Sequence, residues 1–128
     1  MGVAFGVVLP VAGCSPGGGA VEECEETLES LSLSVDGVSG ADFECHRSFG
    51  NDWEKGTVTV AATTQDELVG VMEDVLRTYA ASPDLDDASG PSVYFTSEDG
   101  GLGAGPGDVG FNGTPSMAQI REHYGIEP

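Results

Sequence analysis

Between residues 57 and 96 the apolar residues change their spacing twice, and that change limits the fold more than any other feature of the chain. Val58, Val60 and Ala62 alternate with Thr57, Thr59 and Ala61, the pattern of a strand rich in β-branched residues. Leu68, Val71, Met72, Val75, Leu76 and Tyr79 then fall on one side of a helix of about four turns. Thr64 with Glu67 supplies a capping box at its start, and Ser82-Pro83 ends it because proline cannot continue a helix. From Ser92 to Thr96 the alternation returns, with Val93 and Phe95 on one face. Strand, helix and strand in that order form a crossover that lays the helix against a sheet.

The flanking segments extend this pattern. Residues 21–29 are rich in glutamate, with apolar residues at 21, 24, 28 and 31, a spacing that fits either a short helix or the run-in to a strand. Leu31, Leu33 and Val35 alternate with Ser32 and Ser34, and Phe43, Cys45, Arg47 and Phe49 with Glu44, His46 and Ser48. Both read as strands, separated by the turn signals Asp36-Gly37 and Ser39-Gly40. Gly50-Asn51-Asp52 marks the next turn and carries Trp53. Short connections among these strands favour an antiparallel meander. Downstream, 84–90 reads as an acidic loop and 99–110 as a long glycine-rich loop, with Val109 and Phe111 on one further short strand. Thr114 is expected to cap a last helix with Pro115 at its first position. Met117, Ile120 and Tyr124 form its apolar side, and Gly125 with Ile126 a Schellman-type end. The order β-β-β-α-β-(β)-α predicts one domain over 21–128, a two-layer α+β sandwich. Its antiparallel sheet of four to five strands is covered on one face by two helices, with the other face toward water.

Charge restricts the partners. Asp and Glu number 22 against 4 Lys and Arg, a net charge of −18. Nucleic acid is excluded as a partner, since phosphate binding needs a basic face, and so is electrostatic docking on anionic lipid. Membrane attachment must then be hydrophobic or covalent. The charge reads chiefly as a solvated surface, with a cation-binding or basic-partner role as the alternative.

Residues 1–13 carry no charge and are too short to span a bilayer, which takes about 20 residues. They match a signal-peptide apolar region and end in Val11-Ala12-Gly13-Cys14, followed by Ser15-Pro16-Gly17-Gly18-Gly19. This segment resembles the lipobox of bacterial lipoproteins, of actinobacterial type by its surrounding composition. The resemblance covers about the first fifteen residues and implies nothing about the globular part. It implies lipidation at Cys14, a signal-peptide remnant over 1–13, a flexible tether over 14–20 and a lipid-anchored place on the extracytoplasmic face of the cell membrane. The first cation is Arg47, so the basic n-region of such a signal is expected upstream. With Cys14 lipidated, Cys24 and Cys45 remain, and in an oxidising compartment they are expected to pair. Free thiols are the alternative.

Catalytic signatures are sparse. The stretch from Asp99 to Asp108 lacks the aspartate of a calcium-binding glycine repeat and the lysine of a phosphate loop. Asp84-Leu85-Asp86-Asp87-Ala88-Ser89-Gly90 starts like a calcium loop, but has Ala88 at a ligand position and Ser89 where the turn glycine belongs. His46 and His123 are the only histidines, and neither stands in a zinc spacing; no nucleophile elbow occurs. No metal and no cofactor are expected. Trp53, Asp99 and Asp108 are the candidate contacts for a ligand or partner. The reading that follows is a non-enzymatic, membrane-anchored binding or structural module of the cell envelope, with an envelope protein as its expected partner. The alternatives are a small secreted enzyme or enzyme inhibitor working through the 99–110 loop, and an acidic cation-binding surface protein.

Overall fold

A computed structural model describes residues 16–128, with side chains from Ala20 onward. The signal-like segment 1–13 and the lipidation candidate Cys14 lie outside the described residues. The elements, in chain order, are α1 (Pro16–Leu33), β1 (Val38–His46), β2 (Trp53–Val60), α2 (Gln65–Ala81), β3 (Ser92–Ser97), β4 (Gly103–Ala104), a short 3-10 helix (Pro106–Val109) and α3 (Met117–Tyr124). The class is α+β, as the alternating periods predict, with the four strands in the order β1-β2-β3-β4.

The central crossover follows the sequence closely. Thr64 accepts from the Glu67 amide while the Glu67 carboxylate reaches back to the Thr63 and Thr64 amides, closing the capping box. Leu68, Met72, Val75, Leu76 and Tyr79 are buried on the sheet side of α2. They meet Phe43, Val58, Val60, Val93 and Phe95, which alternate inward along the strands. Opposite Phe43 in the ladder stands Gly56, and a Cβ there would run into the Phe43 ring and the Asp42 carbonyl. The aromatic ring therefore covers the glycine and fills the space that a side chain would take. The outward positions Asp42, Glu44, Lys55, Thr57 and Tyr94 are exposed, so the far face of the sheet is open.

Several expectations are corrected. The sheet is mixed: β1–β2 and β3–β4 are antiparallel, but β2–β3 is parallel, because α2 carries the chain back to the starting end of the sheet. Of the expected strand 31–35, residues 31–33 end α1 and 34–35 lie in the turn after it, and three helices replace the expected two. Val21, Cys24, Leu28 and Leu31 share one helical face, and that pattern overrides the local alternation of Leu31, Leu33 and Val35. Ser32, expected to point to solvent, is buried; its hydroxyl donates to the Leu28 carbonyl and shares a 2.5 Å hydrogen bond with the Tyr79 hydroxyl. Leu33 is left half exposed. α1 starts at Pro16, so residues 16–20 are helical where a flexible tether was expected. Ser39-Gly40 is not a turn but a register shift inside β1, and β1 ends at His46, leaving Phe49 fully exposed in the turn.

Near the C-terminus, 103–104 supplies the short edge strand and Val109 lies in the 3-10 helix, not in a strand. The last helix is capped by Ser116, not Thr114, because Ser116 and Gln119 form a second capping box. Its end is as expected: Gly125 is left-handed, and the Ile126 and Gly125 amides return to the Arg121 and Glu122 carbonyls.

Candidate functional site

Among the described residues, a polar cavity of about 930 Å³ lies at one end of the sheet. Four segments build it: α1 from Ala20 to Leu28, the β1–β2 turn, the 84–90 loop and the start of α3 with its lead-in. Each is held there by a specific bond.

The α1 wall is fixed covalently. Cys24 and Cys45 form a disulfide across a Cα–Cα distance of 6.3 Å, the pairing expected of an oxidising compartment. Two glutamates on the same helix continue the contact. The Glu29 carboxylate accepts from the Phe43 amide and the Glu25 carboxylate from the Cys45 amide, both at 3.1 Å. β1 is an edge strand paired only to β2, and an edge strand normally presents unpaired amides outward. Four residues along a helix rise about 6 Å, close to the roughly 6.7 Å between alternate strand residues. Glutamates at i and i+4 therefore reach successive outward amides.

Glu54 forms part of the floor. Its backbone pairs with Cys45, at a position on the core side of the sheet, and its side chain is only 10% exposed. A buried carboxylate needs a partner. Arg47 supplies it at 2.9 Å, and Ser89 Oγ adds a longer bond of 3.4 Å. Arg47 also donates to the His46 carbonyl and lies 3.3 Å from Cys24 Sγ. One guanidinium thus bridges the hairpin, the disulfide and the floor.

The loop wall folds around a second guanidinium. Arg121, on α3, is 8% exposed. It donates to the Ala80, Ser82 and Leu85 carbonyls at 2.7–2.9 Å and to the Asp87 carboxylate at 2.6 Å. The loop answers by accepting the first amides of α3: Met117 donates to Ser89 and Ala118 to Asp87. A segment that starts like a calcium loop is therefore organised around an arginine. The sequence signal was present, since Arg121 is one of four cations in a chain of charge −18, but nothing in its spacing tied it to 80–87.

The sequence candidates fall in separate places. Trp53 opens β2 at the cavity rim, stacked on His46 at 5.0 Å with Lys55 Nζ 5.2 Å from its ring centroid. Asp99 and Asp108 do not line the cavity. Asp99 accepts from the Gly101 amide and the Ser97 hydroxyl, which together hold its carboxyl below the usual range. Asp108 caps the Gly105 amide. The other displaced groups also lie outside the cavity. Backbone and hydroxyl donors of Thr63 and Thr64 lower Glu67, while burial raises Tyr79. Among the described residues, no cluster of three His, Cys, Asp or Glu side chains is arranged to hold a metal ion, and no helix is long and apolar enough to cross a membrane.

No protein-family model matches the chain, and neither does any curated protein or solved structure.

Proposed function

We propose that this protein is a lipid-anchored, non-catalytic binding module of the cell envelope, and that the cavity between α1, the β1–β2 turn and the 84–90 loop is its ligand site. The observation that carries the reading is the cavity itself. It is a concavity of about 930 Å³, in the size range of small-molecule sites, with walls fixed by a disulfide and two arginines rather than left to a mobile loop. Its lining carries no histidine, and the side chains with displaced pKa values stand elsewhere, which favours recognition over acid–base chemistry. Glu23, Asp52, Asp84 and Asp86 lie on its walls, and Arg47 is already engaged by Glu54. Together with the net charge of −18, this favours a neutral or cationic ligand over an anion. The disulfide and the Val11-Ala12-Gly13-Cys14 lipobox support an extracytoplasmic, membrane-anchored address.

Trp53 is the sole tryptophan and sits at the cavity rim, so its emission reports occupancy. Titration with neutral, cationic and anionic fragments is expected to shift that emission for the first two classes only. Equal response to anions, or none to any class, would remove the cavity as the site. The anchor is tested separately by intact mass of protein from its native membrane. A species beginning at Cys14 with added lipid mass supports it, and a free Cys14 thiol sinks it.

A further inference from the structure

The bonds holding α1 are unevenly distributed along it. From Leu28 onward it belongs to the core: Leu28 is buried, and Ser32 is buried against the Tyr79 hydroxyl. Its N-terminal part, from Ala20 to Thr27, carries the exposed Glu22, Glu23 and Glu26, and its apolar contact with the core is limited to the partly buried Val21 and Cys24. Its polar and covalent links converge on the free edge of β1, where Glu25 occupies the Cys45 amide and Cys24 is bonded to Cys45 itself, while Glu29, next to the buried Leu28, occupies the Phe43 amide. The same N-terminal part contributes Ala20, Glu23, Cys24 and Thr27 to the cavity wall.

We infer that the N-terminal part of α1 is a redox-locked clasp: the Cys24–Cys45 disulfide seats Glu25 on the edge of β1, covers that end of the edge and completes the cavity. The Glu25 bond is only part-buried, so solvent competes for both of its partners. The disulfide changes this by holding Cys24 at Cys45, so the adjacent Glu25 carboxylate stays within reach of the amide at a high effective concentration. With both cysteines reduced, the N-terminal part of α1 keeps only the Glu25 bond and the partly buried Val21 and Cys24 contacts. It then lifts from β1, bares the Cys45 amide and opens the cavity on that side.

Closure is a two-electron step. The Cys24 and Cys45 thiols give up two protons and two electrons to a low-molecular-weight disulfide, which leaves as two thiols, and the Sγ–Sγ bond forms. Before export the thiols stay reduced and the cavity lacks a wall; in an oxidising compartment the wall is fixed. This rests on the cavity being the ligand site, but amide exchange needs no ligand, so the clasp and the ligand site can fail independently.

The test is residue-resolved amide hydrogen exchange on the full chain, oxidised and then reduced in place with dithiothreitol, with Cys24→Ser/Cys45→Ser as a second route to the unlocked state. The Cys45 amide and those from Ala20 to Glu25 are expected to exchange about tenfold faster or more, while Phe43, held by Glu29, and Val58 and Phe95 keep their protection. Re-oxidation with glutathione disulfide is expected to restore the slow rates. Two results would overturn the inference. If position 45 stays protected after reduction, the clasp does not depend on the disulfide. If Phe43, Val58 and Phe95 lose protection with it, the bond supports the whole fold rather than a local clasp. Should the double variant not fold, the in-place reduction decides alone.

Discussion

The middle of the sheet and its cavity end are held together by different physics. In the middle, where α2 crosses β2 and β3, Val58, Val60, Leu68, Met72, Val75 and Phe95 are fully buried and nearly every contact is apolar. At the cavity end the same sheet carries Glu54 on its core side, and the surrounding segments are fixed by a disulfide, two guanidiniums and carboxylates bonded to backbone amides. Apolar packing is non-directional and roughly additive in area, so it makes the centre a single cooperative unit. Clamps are directional and act on one segment each. The centre therefore behaves as a scaffold, and the cavity end as a set of parts fastened to it, each removable with a local consequence.

The largest loss is expected in the scaffold. Phe95 is fully buried on β3, between β2 and β4, and Phe95→Ala should cost about 4 kcal/mol, the cavity-forming range for a core aromatic. Because that loss is global, the denaturant midpoint falls while the slope is kept, and amide protection drops throughout the molecule. Loss of protection confined to β3 and β4 would break the comparison, since the centre would then not be one unit.

A smaller and more local effect is expected at the clamp. Arg121→Met keeps the aliphatic length but leaves the Ala80, Ser82 and Leu85 carbonyls without their donor, at a cost of about 2 kcal/mol once loop carbonyls regain some water. The informative readout is local. The Met117 and Ala118 amides, bonded to Ser89 and Asp87, should exchange faster, and the Trp53 response to cavity fragments should weaken. If both stay as in the parent chain, the backbone bonds between loop and helix suffice to hold the loop, and Arg121 is not its clamp.

The same division explains what could be read from the sequence. Helix α2, its capping box and its two flanking strands are legible because apolar periodicity and short-range caps record them directly, and those elements are the scaffold. The α+β class follows. α1 is not legible over 31–35, because two periods overlap there. Leu31, Leu33 and Val35 fit a strand locally, and the contact that decides for a helix is Ser32 with Tyr79, 47 residues away. The parallel β2–β3 pairing is likewise a long-range matter. At the cavity the disulfide was foreseen, from cysteine arithmetic and compartment, and Trp53, named as a candidate contact, lines the rim. Arg47 with Glu54, and Arg121 with the loop, join charges across distances in sequence that no periodicity marks, in a chain where any cation has many carboxylates to choose from. Asp99 and Asp108 looked available in a glycine-rich stretch, but each carboxylate caps a backbone amide of its own loop, the usual local use of aspartate in turns.

The smallest expected effect sharpens the comparison at the seam between α2 and α3. Tyr124 donates to the Glu73 carboxylate at 3.1 Å and lies under the Arg77 guanidinium. Partial burial, followed by the negative charge of Glu73, pushes its phenol up to about 12. A free tyrosine ionises near about 10, so the folded state prefers the neutral phenol. Its contribution to stability is complete below pH about 10 and is lost as the pH rises through the folded value. Tyr79, buried and bonded to Ser32, is displaced in the same direction mainly by desolvation, with no carboxylate among the causes. The two tyrosines therefore separate the two physics within one titration. Glu73→Gln should lower the Tyr124 midpoint in an ultraviolet phenolate titration and leave Tyr79 where it is, with Tyr124→Phe assigning the step. A Tyr124 midpoint unmoved by Glu73→Gln would mean that packing alone sets it, and the seam would belong with the scaffold rather than with the clamped parts.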